Sequence, residues 1–313
     1  MSGPWKAEHI PNLSGRRFLI TGANSGIGFY AALKLARKDA ELILACRDLR
    51  KGEAALARLR EEAPGVHAEV AQLDLASLAS VRKFAAQELG RRRPLHVLIN
   101  NAGVMALPQR TLTADGFEMQ FGTNVLGHFA LTGLLWPALE QAGVDAPPRV
   151  VTIASIAHKR THLDIGDLQS AKIYSPMRAY QQSKLANLML ALEMGRRLRA
   201  KGLPVLSIAA HPGVAATALF RMDGRSAVAK TLRTVIGHGI GMFLNDEAEG
   251  ALPTLYASTS PDAENGGYYG PQQLGETRGE VVGPAKIAEH ARNEALAAQL
   301  WERCREMTDV DFA

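Results

Sequence analysis

A tyrosine and a lysine four positions apart, in the stretch AYQQSKLAN (179–187), could perform acid–base chemistry. On a helix, residues at i and i+4 are surface neighbours, so the Tyr180 phenol and the Lys184 ammonium can face one site. A phenol with its ordinary pKa of about 10 exchanges protons poorly at neutral pH, and a nearby cation favours its charged form. The spacing alone does not identify a catalytic pair, because Tyr30 and Lys34 are also four positions apart. The residues around each pair must distinguish them.

A glycine-rich stretch, TGANSGIG (21–28), follows a short apolar run and precedes a helical pattern. Glycines let the backbone approach a pyrophosphate, and a helix N-terminus offers free N–H groups and the positive end of its dipole. The spacing differs from the Gly-x-Gly-x-x-Gly dinucleotide fingerprint. A turn that binds nothing is the alternative, but the flanking strand and helix favour a nucleotide. The residues predicted to contact it are Gly22, Asn24, Ser25, Gly26, Ile27 and Gly28.

The stretch ELILACRD (41–48) bears on the choice between NAD and NADP. A carboxylate at the end of the second strand would bind the ribose 2′-hydroxyl of NAD, whereas an arginine suits the 2′-phosphate of NADP. Ala45 and Cys46 carry no carboxylate, and the planar guanidinium of Arg47 can bind a phosphate with two hydrogen bonds. A solvated loop charge is the alternative for Arg47. The stretch therefore favours NADP(H) over NAD(H).

Short apolar runs alternate with helical patterns, and these elements must position the residues above. Near-continuous apolar strands separated by helices indicate an α/β protein with a parallel sheet covered by helices on both faces. Right-handed crossovers then predict a doubly wound, Rossmann-type sheet. The predicted strands are 16–20, 41–45, 66–73, 94–99, 149–154 and 204–210, with a short last strand at 266–271. The predicted helices are 26–38, 50–62, 77–89, 114–141, 177–201 and 286–307.

The composition is that of a soluble globular protein, with 47% hydrophobic and 21% charged residues among 313. A net charge of +5 without an aromatic-rich basic stripe argues against nucleic-acid binding and suits an anionic small molecule. Two cysteines cannot form a disulfide framework, and no signal peptide or membrane-spanning run is evident, so we expect a cytoplasmic location. No metal is expected, and His158 and His211 are predicted to line the site rather than bind one.

Four motifs occur in the order found in one enzyme family: TGANSGIG, NNAG (100–103), YQQSK (180–184) and HPG (211–213). From about Leu13 to its end the chain resembles the short-chain dehydrogenase/reductases. It is most similar to their retinol-dehydrogenase-like branch, which includes WW-domain oxidoreductases and protochlorophyllide reductases. The stretches LACRD, NNAGVM, DGFEMQFGTNVLGHFALT and SIAH carry that likeness. The resemblance implies one domain over 1–313, with a cofactor-binding and catalytic core at 13–213.

The resemblance implies four catalytic residues. Tyr180 would be the general acid/base, and Lys184 would lower the pKa of Tyr180 and hold the nicotinamide ribose. Ser155 would hydrogen-bond the substrate oxygen, and Asn124 would hold a water that relays protons to Lys184. The Tyr180 pair is therefore interpreted as catalytic and the Tyr30 pair as structural. One departure is Ala154-Ser155, where many relatives have two serines.

Further cofactor contacts are implied by position. Asp74 would meet the adenine with Leu75 beside it, and Asn101, Ala102 and Gly103 would line the cofactor. The residues implied to border the nicotinamide are Pro212, Gly213, Val214 and Thr217.

The implied function is that of an NADP(H)-dependent oxidoreductase that interconverts a carbonyl and an alcohol on a lipophilic small molecule, such as a retinoid, steroid or aldehyde. Three alternatives carry different sequence signatures. A non-catalytic NADP(H)-binding sensor or scaffold on the same fold would usually lose the tyrosine or the lysine. A serine hydrolase needs Gly-x-Ser-x-Gly, which neither Ser25 nor Ser155 has. A sugar-nucleotide epimerase would have Gly-x-x-Gly-x-x-Gly spacing.

Residues 214–250 are predicted to form a helical substrate lid, because the segment is too long for an ordinary connection and rich in apolar side chains. The alternatives are that it packs helices onto the core or lies on a membrane surface, flanked by Lys230 and Arg233. The resemblance also implies that the helices near 114–141 and 177–201 can pair subunits in a homo-oligomer.

Overall fold

Eight strands form a single sheet in the computed structural model, which describes residues 4–143, 146–214 and 246–313. The strand order is β3-β2-β1-β4-β5-β6-β7-β8. Seven strands are parallel, and β8 pairs antiparallel with β7 at one edge. The strands are β1 Arg17–Thr21, β2 Glu41–Cys46, β3 His67–Gln72, β4 Val97–Asn100, β5 Arg149–Ile153, β6 Leu206–Ala210, β7 Tyr268–Gln273 and β8 Arg278–Pro284.

The direction of winding reverses beside β1. The chain runs outward from β1 to β3, returns to place β4 on the other side of β1, and then continues outward to β8. In such open α/β sheets, ligands bind outside the carboxyl ends of the strands at the point of reversal. The carboxyl ends of β1 and β4 are therefore the expected centre of a site.

Helices cover both faces of the sheet, which confirms the doubly wound α/β prediction. Alternate strand residues enter two separate cores; Leu19 points into one, and its neighbours Phe18 and Ile20 point into the other. The helices are α1 Gly26–Ala36, α2 Leu49–Glu62, α3 Leu78–Gly90, α4 Met119–Phe121, α5 Gly127–Leu134, α6 Trp136–Glu140, α7 Pro176–Lys201, α8 Glu247–Gly250, α9 Leu252–Thr259 and α10 Glu294–Thr308.

The long helix predicted over 114–141 is shorter and broken. It begins at Met119, because the Glu118 carboxylate accepts hydrogen bonds from the backbone N–H groups of Gln120 and Phe121. A π turn, Gly122–Leu126, then joins α4 to α5. The C-terminal helix likewise begins later than predicted, where the Asn293 side chain caps α10.

The end of the sheet also differs from the prediction. The strand predicted at 266–271 exists as β7, but it is followed by β8, which the sequence analysis missed. The β8 sequence, RGEVVGP, mixes glycine and charge with only two β-branched residues, and its pairing with β7 alone defines it.

The predicted lid at 214–250 falls mostly on residues 215–245, which lie outside the described residues. At its end, α8 packs against α1, where Gly250 lies against Ile27. Within the described ranges, no helix is long and apolar enough to cross a membrane.

The C-terminal helix α10 packs on α5 and α7, the two helices expected to pair subunits. The apolar residues of the tail that follows α10 are buried there too, and the Phe312 ring contacts the rings of Phe129, Trp136 and Trp301. The pairing of subunits through these helices stays a prediction.

Candidate functional site

The predicted site residues gather at the carboxyl ends of β1 to β6 and on the helices above them. The glycine loop follows β1, Arg47 follows β2, and Asp74 follows β3. The stretch 101–103 follows β4, Ser155 follows β5, and 212–214 follow β6. Asn124 lies on the π turn, and Tyr180 and Lys184 lie on α7. Thr217 lies outside the described residues.

Close backbone packing accounts for two glycines of the loop between β1 and α1. Gly22 has a φ of +68°, and a Cβ there would lie 3.0 Å from the Ala102 Cα. A Cβ on Gly28 would lie 2.6 Å from the Asn101 Nδ2. That amide donates a 2.8 Å hydrogen bond to the carbonyl of Thr21. The first turn of α1 is thus held directly against the loop after β4, at the reversal point of the sheet.

A buried network beneath this junction was missed by the sequence analysis. The Thr21 Oγ1 accepts hydrogen bonds from the backbone N–H groups of Asn101 and Ala102, each 2.9 Å long. It lies 2.9 Å from the Nε2 of His128, whose Nδ1 lies 3.0 Å from the carbonyl oxygen of Asn124. Because a carbonyl only accepts, Nδ1 carries the proton and Nε2 accepts from the threonine hydroxyl. His128 is fully buried, and that burial lowers its pKa to about 4, so the ring stays neutral.

Asn124 is held rigidly with its side chain toward the loop after β4. Its Oδ1 accepts from the Val104 N–H at 2.8 Å, and its Nδ2 donates to the Val104 carbonyl at 2.9 Å. The same amide donates to the Ser183 Oγ at 2.9 Å. A Cβ built on Gly103 would lie 3.2 Å from the Asn124 Oδ1 and 3.7 Å from the Lys184 Nζ. The asparagine and the lysine thus flank the same glycine.

Lys184 is buried, and its ammonium donates a 2.8 Å hydrogen bond to the carbonyl of Ile153 at the end of β5. The Nζ lies 6.0 Å from the centre of the Tyr180 ring. Burial lowers the pKa of Lys184 to about 8, because the charged form loses solvation. Even so, the lysine is largely protonated at neutral pH and can act as a cation or a hydrogen-bond donor.

The pKa of Lys184 predicts a rise in stability at alkaline pH. An unfolded lysine titrates at 10.5, whereas this one titrates at about 8 when folded. Between these values the unfolded chain binds the extra proton, so the free energy of unfolding should increase with pH. Below them both states are protonated and the cost of burying the charge is constant. Urea unfolding of the cofactor-free protein at about pH 7 and about pH 9.5 measures the increase.

Lys184→Met is the control for this pH dependence, since it removes the titrating group and keeps an apolar stem. The variant should show a smaller increase between the two pH values. An equal increase in both proteins would contradict the assignment of a depressed pKa to Lys184.

Ser155 and Tyr180 face each other across the end of β5. Burial raises the pKa of Tyr180, and a hydrogen bond with the Ser155 side chain lowers it in part. The phenol is therefore protonated at neutral pH and suits a proton donor. The lowering of the Tyr180 pKa that the resemblance implies for Lys184 is not observed, because burial dominates and Lys184 contributes nothing to the shift. Ser155 also opens the 3₁₀ turn Ile156–Arg160, where its Oγ accepts from the Ala157 N–H at 3.2 Å.

Arg47 is exposed just after β2 and, among the described residues, has no ion-pair partner. Cys46 before it is buried, and the carboxylate of Asp48 after it caps α2 by accepting from Arg50 and Lys51. Asp48 is thus engaged in its own helix, and the exposed Arg47 side chain can meet a phosphate beside β2.

Asp74 and Leu75 follow β3. The Asp74 Oδ1 accepts from the Ala76 N–H at 3.0 Å, and its own N–H donates to the Ser80 Oγ. Leu75 is buried, and its carbonyl packs against Gly127. The implied role of Asp74 at an adenine rests on its place at the end of β3.

The HPG loop after β6 is tightly turned. Gly213 has a φ of +75°, and a Cβ there would lie 2.3 Å from the Thr277 carbonyl oxygen. The N–H of Val214 donates to that same oxygen at 2.8 Å. Pro212 and Ile27 both lie against Gly250, so this loop adjoins the start of α1.

The second tyrosine–lysine pair lies apart from this constellation. Tyr30 is half-buried on α1, where its ring contacts Phe29 and the Arg58 guanidinium. Lys34 forms no ion pair within the described part of the chain. The contacts of Tyr30 are those of a packing residue, in line with its structural interpretation.

The arrangement fits a dinucleotide cofactor. The close-packed glycine loop leads into the N-terminus of α1, an arginine stands at the end of β2, and a cationic lysine lies beside the tyrosine and Gly103. In the described ranges, no group of three or more His, Cys, Asp or Glu side chains could hold a metal ion.

Comparisons with known proteins point in one direction. The family model described as short chain dehydrogenase matches residues 16–226. Retinol dehydrogenase 13 from Homo sapiens is 37% identical over 303 residues, covering 96% of this chain and 86% of that protein. Polyprenol dehydrogenase from Mus musculus is 40% identical over 303 residues, again covering 96% and 86%. The solved structure of an uncharacterized protein from Mycobacterium Paratuberculosis has a TM-score of 0.79 and 38% identity, covering 99% of this chain and 100% of that one.

Proposed function

Because this chain belongs to the short-chain dehydrogenase/reductase family, in its retinol-dehydrogenase-like branch, we propose that it is an NADP(H)-dependent enzyme. It interconverts a carbonyl and an alcohol on a lipophilic small molecule. The family makes the protein an oxidoreductase; the choice of cofactor, the substrate class and the residue roles are the proposal. The cytoplasmic location also stays a prediction.

One observation carries the proposal: the Tyr180 phenol hydrogen-bonds with the Ser155 side chain, and the Lys184 Nζ lies 6.0 Å from the centre of the same ring. The bound nicotinamide cofactor supplies the hydride. In carbonyl reduction, Tyr180 donates its proton to the substrate oxygen, and Ser155 donates a hydrogen bond that stabilises the developing negative charge. Lys184 holds the ribose and stabilises the phenolate that remains after proton transfer.

The substrate class is supported by the relatives and by the sequence. The two relatives are named for retinol and polyprenol, which are both lipophilic alcohols. The segment 214–250, proposed as a lid, is rich in apolar side chains. We therefore expect faster turnover of bulky apolar carbonyl compounds than of small polar ones.

The direct test is an assay of NADPH absorbance with the protein and each member of a panel of retinoid, steroid and aliphatic aldehydes and ketones. Small polar carbonyls serve for comparison. NADPH oxidation that depends on an apolar carbonyl supports the proposal. NADPH binding without turnover of any carbonyl in the panel, and without NADP⁺ reduction by the corresponding alcohols, would contradict it and would favour a sensor or scaffold.

Arg47→Ala should remove the preference for NADPH. A charge-assisted hydrogen bond contributes about 1.5–3 kcal/mol, so the wild-type protein should bind NADPH about ten- to a hundredfold more tightly than NADH. The variant should lose most of that ratio because NADPH affinity falls while NADH affinity is kept. Titration of both cofactors by intrinsic fluorescence measures it. Arg50→Ala, an exposed arginine on α2, is the control; equal wild-type affinities for the two cofactors would refute the assignment.

A further inference from the structure

A short turn between β7 and β8, residues 274–277, lies against two parts of the proposed active site; we name it the clasp turn. Leu274, Gly275 and Glu276 all have positive φ values, 47°, 67° and 68°. Two of these are not glycine, so the backbone conformation is unfavourable and must be stabilised by other contacts. The Thr277 hydroxyl closes the turn by donating to the Leu274 carbonyl at 2.7 Å.

The Glu276 carboxylate points inward from this turn and is 10% exposed. Its Oε1 accepts from the backbone N–H of Lys286 at 2.8 Å, and its Oε2 pairs with the Lys159 ammonium at 2.5 Å. Burial alone would raise the pKa of Glu276, but the hydrogen bonds from these two groups outweigh it and lower the pKa. The carboxylate is thus a charged, buried group with defined partners.

Lys159 connects the clasp turn to the catalytic serine. It lies on the 3₁₀ turn that begins after Ser155, four residues away. The same turn is pinned by His158, whose backbone N–H and Nδ1 lie 3.1 and 2.7 Å from the Ser155 carbonyl oxygen. Its Nε2 accepts from the Ala288 N–H at 3.3 Å, just beyond β8. The position of Ser155 therefore depends on contacts with the β7–β8 hairpin.

The other side of the clasp turn holds the HPG loop. Val214 donates its N–H to the Thr277 carbonyl, and Gly213 packs against the same group. The Nδ1 of His211 accepts from the Gly213 N–H, so its Nε2 carries the proton in the neutral ring. That Nε2 is buried, has no hydrogen-bond partner within the described residues, and lies 3.9 Å from the Glu276 Oε2.

We propose that Glu276 is a positioning residue: its carboxylate fixes the Ser155 turn relative to the HPG loop, and so fixes the substrate oxygen relative to the nicotinamide. This rests on the proposed function, in which Ser155 contacts the substrate and the HPG loop borders the cofactor. A misplacement of reacting groups by about 1 Å can lower the rate by about 10²-fold.

The test is Glu276→Gln, which keeps the shape of the side chain and an acceptor for the Lys286 N–H but removes the charge opposite Lys159 and His211. We expect kcat for an apolar carbonyl to fall about tenfold with a much smaller change in NADPH affinity. Glu280→Gln is the matched control, because it makes the same change on an exposed residue of the same hairpin. It should leave kcat unchanged.

Lys159→Gln supplies a second variant that does not alter the hairpin. It should also lower kcat. Adding Glu276→Gln to it should lower kcat little further, because both changes remove the same Lys159–Glu276 ion pair. Full additivity of the two effects, or unchanged kcat in both single variants, would overturn the proposal.

Backbone amide exchange gives a readout that needs no turnover. In Glu276→Gln, exchange should speed up in the peptides covering 155–160 and 211–214 and stay unchanged in Glu280→Gln. If Glu276→Gln speeds exchange but the wild-type protein turns over no carbonyl, the positioning role of Glu276 is supported and the proposed function is refuted. If the wild-type protein is active and Glu276→Gln changes neither exchange nor kcat, the positioning role of Glu276 is refuted and the proposed function stands.

Discussion

Replacement of Tyr180 by phenylalanine is expected to lower kcat by about 10²–10⁴-fold while NADPH binding is retained. The change removes only the phenolic oxygen, and with it the proton donor beside Ser155 and Lys184. Burial raises the pKa of this phenol, so it is protonated at neutral pH and a carbonyl oxygen would receive its proton. Single-turnover NADPH oxidation with the best carbonyl from the panel, together with a fluorescence titration of NADPH, measures both quantities.

Tyr30→Phe is the matched control for this experiment. It makes the same chemical change in the second tyrosine–lysine pair, where the ring packs against Phe29 and Arg58 on α1. Turnover by this variant should stay close to that of the wild type. Similar losses in both variants would show that Tyr180 is not the acid/base.

Ser155→Ala is expected to lower kcat/KM by about 10²–10³-fold, the usual cost of removing one hydrogen-bond donor to a developing oxyanion. The neighbouring residue is Ala154, so no second serine stands in the adjacent position to replace the lost hydroxyl. The reaction with the same carbonyl, followed at several substrate concentrations, separates kcat from KM.

The Ser155 hydroxyl also caps the 3₁₀ turn that follows it. A control variant must therefore remove a similar capping contact away from the site. Ser77→Ala removes an equivalent contact, since the Ser77 hydroxyl accepts from the Ser80 N–H at the start of α3. It should cost some stability and little activity. A loss of activity in Ser155→Ala no larger than in Ser77→Ala would leave Ser155 with only a structural role.

The strand ends could be predicted from the sequence because each carries its own local signal. Apolar runs end directly at the glycine loop, at Arg47, at Asn101 and at Ser155, and the carboxyl ends of parallel strands share one edge of a sheet. Once the parallel sheet was predicted, the gathering of these residues followed. Their side-chain contacts did not follow from it.

The supporting contacts could not be predicted, because they join distant parts of the chain. Thr21 and His128 are 107 positions apart, and Lys159 and Glu276 are 117 apart. His128 does follow Asn124 by four residues, so a helical reading could have suggested that they touch. Glu276, by contrast, lies in a hairpin whose second strand has too little β-forming sequence to be recognised.

The π turn Gly122–Leu126 limits the insertions and deletions that this segment of the chain can accommodate. In an α-helix each residue advances the direction of the side chains by about 100°, and a π turn contains one additional residue. Asn124 reaches Val104 and Ser183 from within this turn, while the α5 residues after it are buried in the core. Deleting one residue here would restore regular winding and turn either the asparagine or the core residues of α5 away from their partners. Single-residue deletions and insertions at this turn should therefore be harder to accommodate than substitutions, and indels are better tolerated in exposed connections such as that between α2 and β3.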